Sequence, residues 1–378
     1  MGRRARHTLT LALATAALAC GDALIIVGDN PGMMRVVVGI GDSAGVTIGE
    51  SAVRSMLTRP LSLSFDDGSG ELVIADQAAS VFDGGVTRRA ARMFAVDSRG
   101  SIATIFTGGG CSLGACVYEP VQVSHAPDGA LLIADLIANR VLRLSPGRNA
   151  LSVVAGTGRV DESPDGTLAS EASFRGIGGV AAGPDGTVYF SERGMHRIRT
   201  IDADGTIRTI AGTGEGGRGG DGGAAVDARL SLPRGLLVHD GVLYVAESGN
   251  HVVRTIDLAT GVIATLAGTP GVPAFGGDGG SAAAARLNDP IALDVSADGA
   301  TLYIADRGNR RVRAVSLVTG TIATYAGTGV AGFNGSGRPA GDTHLRAPTA
   351  VQTSGLGFLF VADSAQHVVW RSSVRLQP

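Results

Sequence analysis

No lysine occurs anywhere in the chain; all 32 basic residues are arginine. Schiff-base chemistry, a lysine nucleophile and a lysine-dependent phosphate loop are thereby excluded. Aromatic residues make up only 4% of the sequence, which weighs against a site that recognises sugars by ring stacking. Charged residues are also few, 17% against 44% hydrophobic, so the chain can bury a large core and is not disordered. The 58 glycines follow no three-residue period, which excludes a collagen-like rod. By length alone, 378 residues allow one large domain or two or three ordinary ones.

The first twenty residues carry a different pattern. Arg3, Arg4 and Arg6 precede an apolar run from Leu9 to Ala19, and Cys20 follows small residues. This is the pattern of a bacterial export signal, with an apolar run too short to span a bilayer. Ala17-Leu18-Ala19-Cys20 resembles a lipobox, in which Cys20 becomes the lipidated first residue; Ala17 stands where leucine is usual, and ordinary cleavage after Ala19 is the alternative. The expected organisation is a signal peptide over 1–19, a tether over 20–33 and one domain over 34–378, lipid-anchored in the cell envelope, in the periplasm or at the outer-membrane surface. Without residues 1–19 the balance is 29 arginines against 34 carboxylates, a weakly acidic and dispersed charge that argues against a nucleic-acid partner. Once Cys20 is set aside, Cys111 and Cys116 remain, and an exported chain predicts a disulfide between them. The other reading, a metal pair, lacks matching ligands nearby.

A repeat organises everything after residue 33. A short apolar run ending in Ala or Ser plus an acid recurs at Asp76, Asp135, Glu192, Glu247, Asp306 and Asp363, at intervals of 59, 57, 55, 59 and 57 residues. About fifteen residues before most of these acids stands a proline (Pro60, Pro120, Pro233, Pro290, Pro348), replaced by Ile177 in the third repeat. After each acid come a turn, a second run such as HVVRTID, a glycine turn and a last run such as VIATLAGTP. Each repeat reads as four short strands, which predicts an all-β chain forming a six-bladed β-propeller of four-stranded antiparallel blades. The last repeat lacks its fourth strand, and Met34–Val38 reads as the orphan strand that completes it and closes the ring.

The segment YIADRGNRRVRAVSLVTGTIATYAGTG, together with the GGDGG...ARL..P segments, resembles NHL-repeat β-propellers, including bacterial versions similar to the NHL region of teneurins. The resemblance covers residues 34–378. It implies a funnel with a central channel, in a family that includes binding platforms, sensor domains and a few lyases, so the fold does not settle the function. A family lyase of the peptide-amidating type would use channel histidines for zinc together with a tyrosine and an arginine, and no such set matches here residue by residue. His125 and His239, near the ends of innermost strands, remain weak metal candidates. No catalytic residue and no cofactor is assigned, with zinc or calcium left open.

Other repeated features have plain architectural readings. The acid and an arginine recur seven apart as Glu192/Arg199, Glu247/Arg254 and Asp306/Arg313, and eight apart as Asp135/Arg143, which predicts a cross-strand ion pair in each of four blades. Phe94 and Trp370 take the arginine position in blades one and six. His196, His251 and His367, with Arg140 and Arg310 at the same position elsewhere, are expected to cap the second hairpin turn. Gly219–Gly223 and Gly276–Gly280 read as tight turns rather than phosphate or calcium loops.

One sector breaks the repetition. The outer-strand glycine lies 21 or 22 residues before the next inner-strand proline in four places, but only 12 before it from Gly108 to Pro120, where Cys111 and Cys116 lie. In the same neighbourhood the connection between the second and third strands of blade one is about ten residues longer than its counterparts. Both connections belong to one face of a propeller, so the expected binding surface lies around Val81, Phe82, Arg88, Arg89 and the cysteine loop. The function expected is a monomeric, non-enzymatic platform for a protein, peptide or other envelope ligand. The alternative is a metal-dependent lyase or hydrolase with its site at the central channel.

Overall fold

The computed structural model describes residues 32–38, 57–83, 86–106 and 115–374, and gives only the backbone course of 78–83 and 86–90. The expected signal peptide, Cys20, most of the tether and Cys111 lie outside the described residues.

The described strands form six antiparallel sheets arranged as a propeller. The inner strands are Pro60–Asp66, Pro120–His125, Ile177–Ala182, Pro233–His239, Pro290–Val295 and Pro348–Ser354. Each contacts the inner strands of both neighbours, the last also packing on the first, so the ring is closed. Burial follows position in the blade. The second strand, sandwiched between neighbouring blades, is buried along its whole length in Leu131–Asp135, whereas the outer strand Ile263–Ala267 buries only its two end residues. An apolar run suits the first setting and an Ile-Ala frame around polar residues suits the second.

The core is not one mass. Six apolar clusters lie at the six blade interfaces, as where Tyr303 and Val312 of blade five meet Val361 and Trp370 of blade six. The closing strand runs over Met33–Val38 and pairs with the third strand of blade six, Arg35 opposite Arg371 and Val36 opposite Trp370. Its fully buried Met34 joins the cluster between blades five and six, and its fully buried Val38 joins the one between blades six and one. A two-residue strand, Arg338–Pro339, pairs with its outer side, so this sheet has five strands where the others have four.

The six repeated acids share one role. Each lies on a second strand, at its last residue in blades two to six and within the longer strand of blade one, is buried, and accepts backbone N–H groups from the segment that enters its own blade: Asp76 from Thr58 (3.0 Å) and Arg59 (2.6 Å), Asp135 from Tyr118 (2.6 Å) and Glu119 (3.0 Å), Glu192 from Arg175 (3.2 Å), Glu247 from Ser231 (2.8 Å), Asp306 from Asn288 (2.7 Å), and Asp363 from Arg346 (2.7 Å) and Ala347 (3.0 Å). In blades three to five the expected arginine stands beside the acid, at 3.5 Å for Glu192 and Arg199, 3.6 Å for Glu247 and Arg254, and 3.5 Å for Asp306 and Arg313. A second carboxylate on the entering segment holds each arginine from the other side: Asp165 (3.4 Å), Asp221 (2.5 Å) and Asp278 (2.5 Å). Two of these come from the GGDGG segments, whose Gly220, Gly222, Gly277 and Gly279 have positive φ as tight turns require.

The fourth expected pair does not form. Arg143 reaches Asp128 at the surface, and Asp135 is satisfied by backbone donors alone, a third coming from Ala138 (3.0 Å). Blade one, with Phe94 at the usual position, supplies its cation from Arg92, directly opposite Asp76, with Nε donating over 3.0 Å. Blade six changes both partners together: Trp370 replaces the arginine, Ser336 stands where the segment's aspartate would be, and the Trp370 ring stacks on Phe333 at 5.5 Å. No buried charge is left alone by that exchange.

Deletion of residues 33–38 removes a strand and two fully buried side chains from two interfaces, and is expected to lower the thermal midpoint by about 10 °C or more. The buried acids also set a pH dependence. Desolvation outweighs the neighbouring arginine and pushes Glu247 up to about 7 and Asp306 up to about 6. Both lie above the ordinary carboxylate range, so the folded state keeps protons that the unfolded chain has released, and this contribution to stability, full near pH 4, is lost as the pH rises through 6 to 7. Thermal unfolding across pH 5 to 8 should show the midpoint falling, with a shallower fall in Glu247→Gln.

Candidate functional site

The upper face, where inner strands begin and second strands end, carries the segments between blades and the turns between second and third strands. Five blades make that turn briefly. In blade one the second and third strands extend as Glu71–Asp83 and Val86–Val96, paired through Ser80 with Arg89, Val81 with Arg88, Phe82 with Thr87 and Asp83 with Val86. The segment expected to be a loop is therefore a β-hairpin continuing the blade upward, because its two arms extend the backbone ladder of the second and third strands. Of the expected binding residues, Val81 stands opposite Arg88, while Phe82 is opposite Thr87 and Arg89 opposite Ser80; their side chains lie outside what the structure describes. Cys116, half-buried between buried Ala115 and Val117, sits where the chain enters blade two.

The central channel is divided by a constriction into two cavities that share Val121, Ile291 and Thr349, and next to it one side chain ties three inner strands together. Gln122 of blade two donates from Nε2 to the Leu236 carbonyl of blade four (2.7 Å), and its Oε1 accepts the N–H groups of Leu236 (3.1 Å) and of Val180 in blade three (3.2 Å). This reach requires glycine in the inner strand between them. A Cβ on Gly179 would lie 2.3 Å from the Arg234 carbonyl oxygen and 2.5 Å from Gln122 Oε1.

Below the constriction is a cavity of about 220 Å³ lined by Ser62, Ser64, His125, Asp294 and Gln352, among others. His125 Nδ1 lies 2.7 Å from Ser64 Oγ, and burial lowers its pKa, so the ring is neutral at pH 7. Asp294 accepts from Thr353 N–H (2.5 Å), Thr353 Oγ1 (2.7 Å) and Gln352 Nε2 (3.0 Å), and burial pushes it up to about 6. His239 belongs to blade four and faces Asp240 at 3.3 Å, so the two weak metal candidates have separate partners. Among the described residues, no three His, Cys, Asp or Glu side chains come together as a metal site.

Above the constriction is a cavity of about 240 Å³ at the mouth of the channel, lined by Arg59, Glu119, Arg193, Arg234 and Arg307 with Leu61, Val121 and Ile291. Arg307 donates from Nε to Asp289 (2.6 Å), and Arg59 donates to Gln77 (2.7 Å) and stands 3.8 Å from Glu119. Desolvation, followed by repulsion from Arg193 and Arg307, pushes the Arg234 guanidinium down to about 10. This cluster was not singled out by the sequence pattern. Its signal was present in the register of the repeats: the residue after the acid is Gln77, Leu136, Arg193, Ser248, Arg307 or Ser364, and the residue after the inner-strand proline position is Leu61, Val121, Gly178, Arg234, Ile291 or Thr349.

The remaining histidines are architectural. His196, His251 and His367 have φ of 54°, 60° and 61° at the second hairpin turn and reach the next blade, His196 Nδ1 accepting from Leu232 N–H and His251 Nδ1 from Asp289 N–H, each over 3.1 Å. His367 meets the Thr58 carbonyl across the ring seam. Arg310 shares the position, with φ of 55°, but Arg140 does not; in blade two Asn139 occupies it, with φ of 50°, accepting from Gly176 N–H (2.7 Å).

No family model matches the chain. Among curated proteins it is similar to NHL repeat-containing protein 2 of Bos taurus, 28% identical over 183 residues, covering 45% of this chain and 25% of that one. It is also similar to teneurin-1 of Mus musculus, 38% identical over 104 residues, covering 24% of this chain and 4% of that one. The chain thus spans a quarter or less of the length of these two relatives. Among solved structures it resembles an auxiliary nutrient binding protein from Bacteroides thetaiotaomicron VPI-5482, with a TM-score of 0.66 and 13% identity, covering 90% of this chain and 75% of that one. At that identity the likeness shows the fold. The repeats are NHL-type repeats, and they build a six-bladed propeller.

Gly179→Ala tests the Gln122 contact directly. Its methyl group would collide with a carbonyl and with Gln122, so a loss of about 2 kcal/mol in unfolding free energy is expected, measured by denaturant titration. A wild-type midpoint would mean that Gly179 does not lie this close to the Arg234 carbonyl and Gln122.

Proposed function

We propose that this chain is a non-enzymatic binding platform, exported and held in the cell envelope through a lipidated Cys20, and that its upper face takes a protein, peptide or other envelope ligand. The observation that carries the reading is the sector at blade one. Five blades end their second strands in short turns, while here a hairpin carries the second and third strands further on the same face. Repetition serves the ring, and a departure from it on the face where connections gather marks a surface shaped for something else. A Cys111–Cys116 bridge belongs to the same proposal, since it would fasten the shortened connection that neighbours the hairpin. The nutrient-binding name of one structural relative lends the reading support by analogy.

No observation favours the lyase or hydrolase alternative. His125 is held by Ser64, and neither cavity brings a nucleophile, a base and an orienting group into one line. Replacing residues 79–90 with a four-residue turn, the length used elsewhere, should leave the thermal midpoint within a few degrees of wild type. It should also abolish capture of the envelope component retained by the purified domain. Capture at wild-type level by the shortened protein would reject the upper-face reading.

A further inference from the structure

We infer that the upper mouth of the channel is a binding site for one anionic group, a carboxylate or a phosphate, on a small ligand. The inference deepens the platform reading and rests on it for the face concerned, but it is carried by different residues.

Charge balance is the first argument. Four guanidinium groups, Arg59, Arg193, Arg234 and Arg307, meet at the mouth, and the carboxylates facing them are Glu119 and Asp289. Arg59 and Arg307 are engaged with Gln77, Glu119 and Asp289. Arg193 and Arg234 have no ion pair among the described residues, and the Nε of each is buried without a hydrogen-bond partner. The buried arginines of blades three to five differ in their charge balance: Arg199, Arg254 and Arg313 each stand between two carboxylates.

The second argument is that the scaffold does not need these charges. At the position of Arg234 the other blades carry Leu61, Val121, Gly178, Ile291 and Thr349, and at the position of Arg193 three of them carry Leu136, Ser248 and Ser364. An apolar or small residue therefore builds the same ring. Placing two unpaired guanidinium groups against a third, over walls of Leu61, Val121 and Ile291, costs desolvation and repulsion that an incoming anion would relieve. Planar guanidinium forks suit the paired oxygens of a carboxylate or phosphate. The mouth cavity ends at Val121, Ile291 and Thr349, which also line the cavity beyond, and this narrowing confines the ligand to the mouth. The cavity of about 240 Å³ leaves room for the anionic group and a few carbon atoms against the apolar wall.

Isothermal titration of the purified protein with inorganic phosphate and, separately, with succinate at low ionic strength tests this and distinguishes the two chemistries. One saturable site for at least one of them is expected, weakened about tenfold or more by Arg234→Gln and by less in Arg234→Lys, which keeps the charge without the fork. Without ligand, Arg234→Gln should unfold at or above the wild-type midpoint because it removes a repelled charge. Arg193→Gln, nearer the rim, should weaken binding as well and serves should Arg234→Gln fold poorly. The absence of saturable binding for both anions up to about 10 mM, or unchanged affinity in Arg193→Gln and Arg234→Gln, would overturn the site. The same titration on the protein shortened at 79–90 separates the two readings. Anion binding there with envelope capture intact would leave the mouth standing and reject the hairpin.

Discussion

The structure depends on one contact made six times: a buried carboxyl group on each second strand accepting backbone N–H groups from the segment that enters the same blade. A propeller blade has no covalent reason to begin at the right height. The incoming chain crosses from the outer edge of one blade to the hub of the next, and its last residues before the inner strand would leave N–H groups facing a dry interior. The acid satisfies them and fixes where the inner strand starts. A carboxyl group suits this place because its two oxygens can accept several donors at once, four from Thr58, Arg59 and Arg92 in the case of Asp76.

Once the acid is fixed, the rest of each blade follows. Blades three to five add an arginine and then a second carboxylate, making a three-member charge relay from strand to strand to entering segment. Blade two stops at backbone donors, blade one moves the arginine two positions along the strand, and blade six replaces cation and outer anion together with Trp370 and Ser336. In none of these variants does a lone buried arginine face only apolar surroundings, which is the constraint that buried charge imposes. The closing strand then acts on two interfaces at once, since Met34 and Val38 pack into different clusters.

The repeat made the fold legible, because a period near 57 residues with four runs per period fits few architectures. The orphan strand was legible too, because the last repeat is short by one run. What the spacing could not supply was which side chains meet. Counting residues from Asp135 to Arg143 predicted a pair, but register places Arg143 opposite Leu132 or Ser152, next to Asp128. Likewise Arg140 was one residue off the left-handed position that Asn139 fills. The blade-one insertion was correctly located and wrongly pictured as a loop, since length alone does not distinguish an excursion from a prolonged ladder.

The candidate site was the least legible part, for a physical reason. Residues that line a propeller channel come one or two from each blade, so they are scattered through the sequence at the repeat interval and hidden inside the pattern that reveals the fold. Gln122, Gly178, Gly179 and Arg234 each read as an unremarkable variation of an inner strand when taken singly. Together they form one arrangement: Gly179 lets the glutamine reach the inner strands of blades three and four, Gly178 lets the strand of blade three lie against the Pro233 carbonyl, and Arg234 lines the mouth beside them. Departures from the repeat that are coupled in space, across blades two to four, are therefore more informative than any of them is at its own position. The hairpin of blade one and this cluster lie on the same face, one reaching outward and the other opening at the axis.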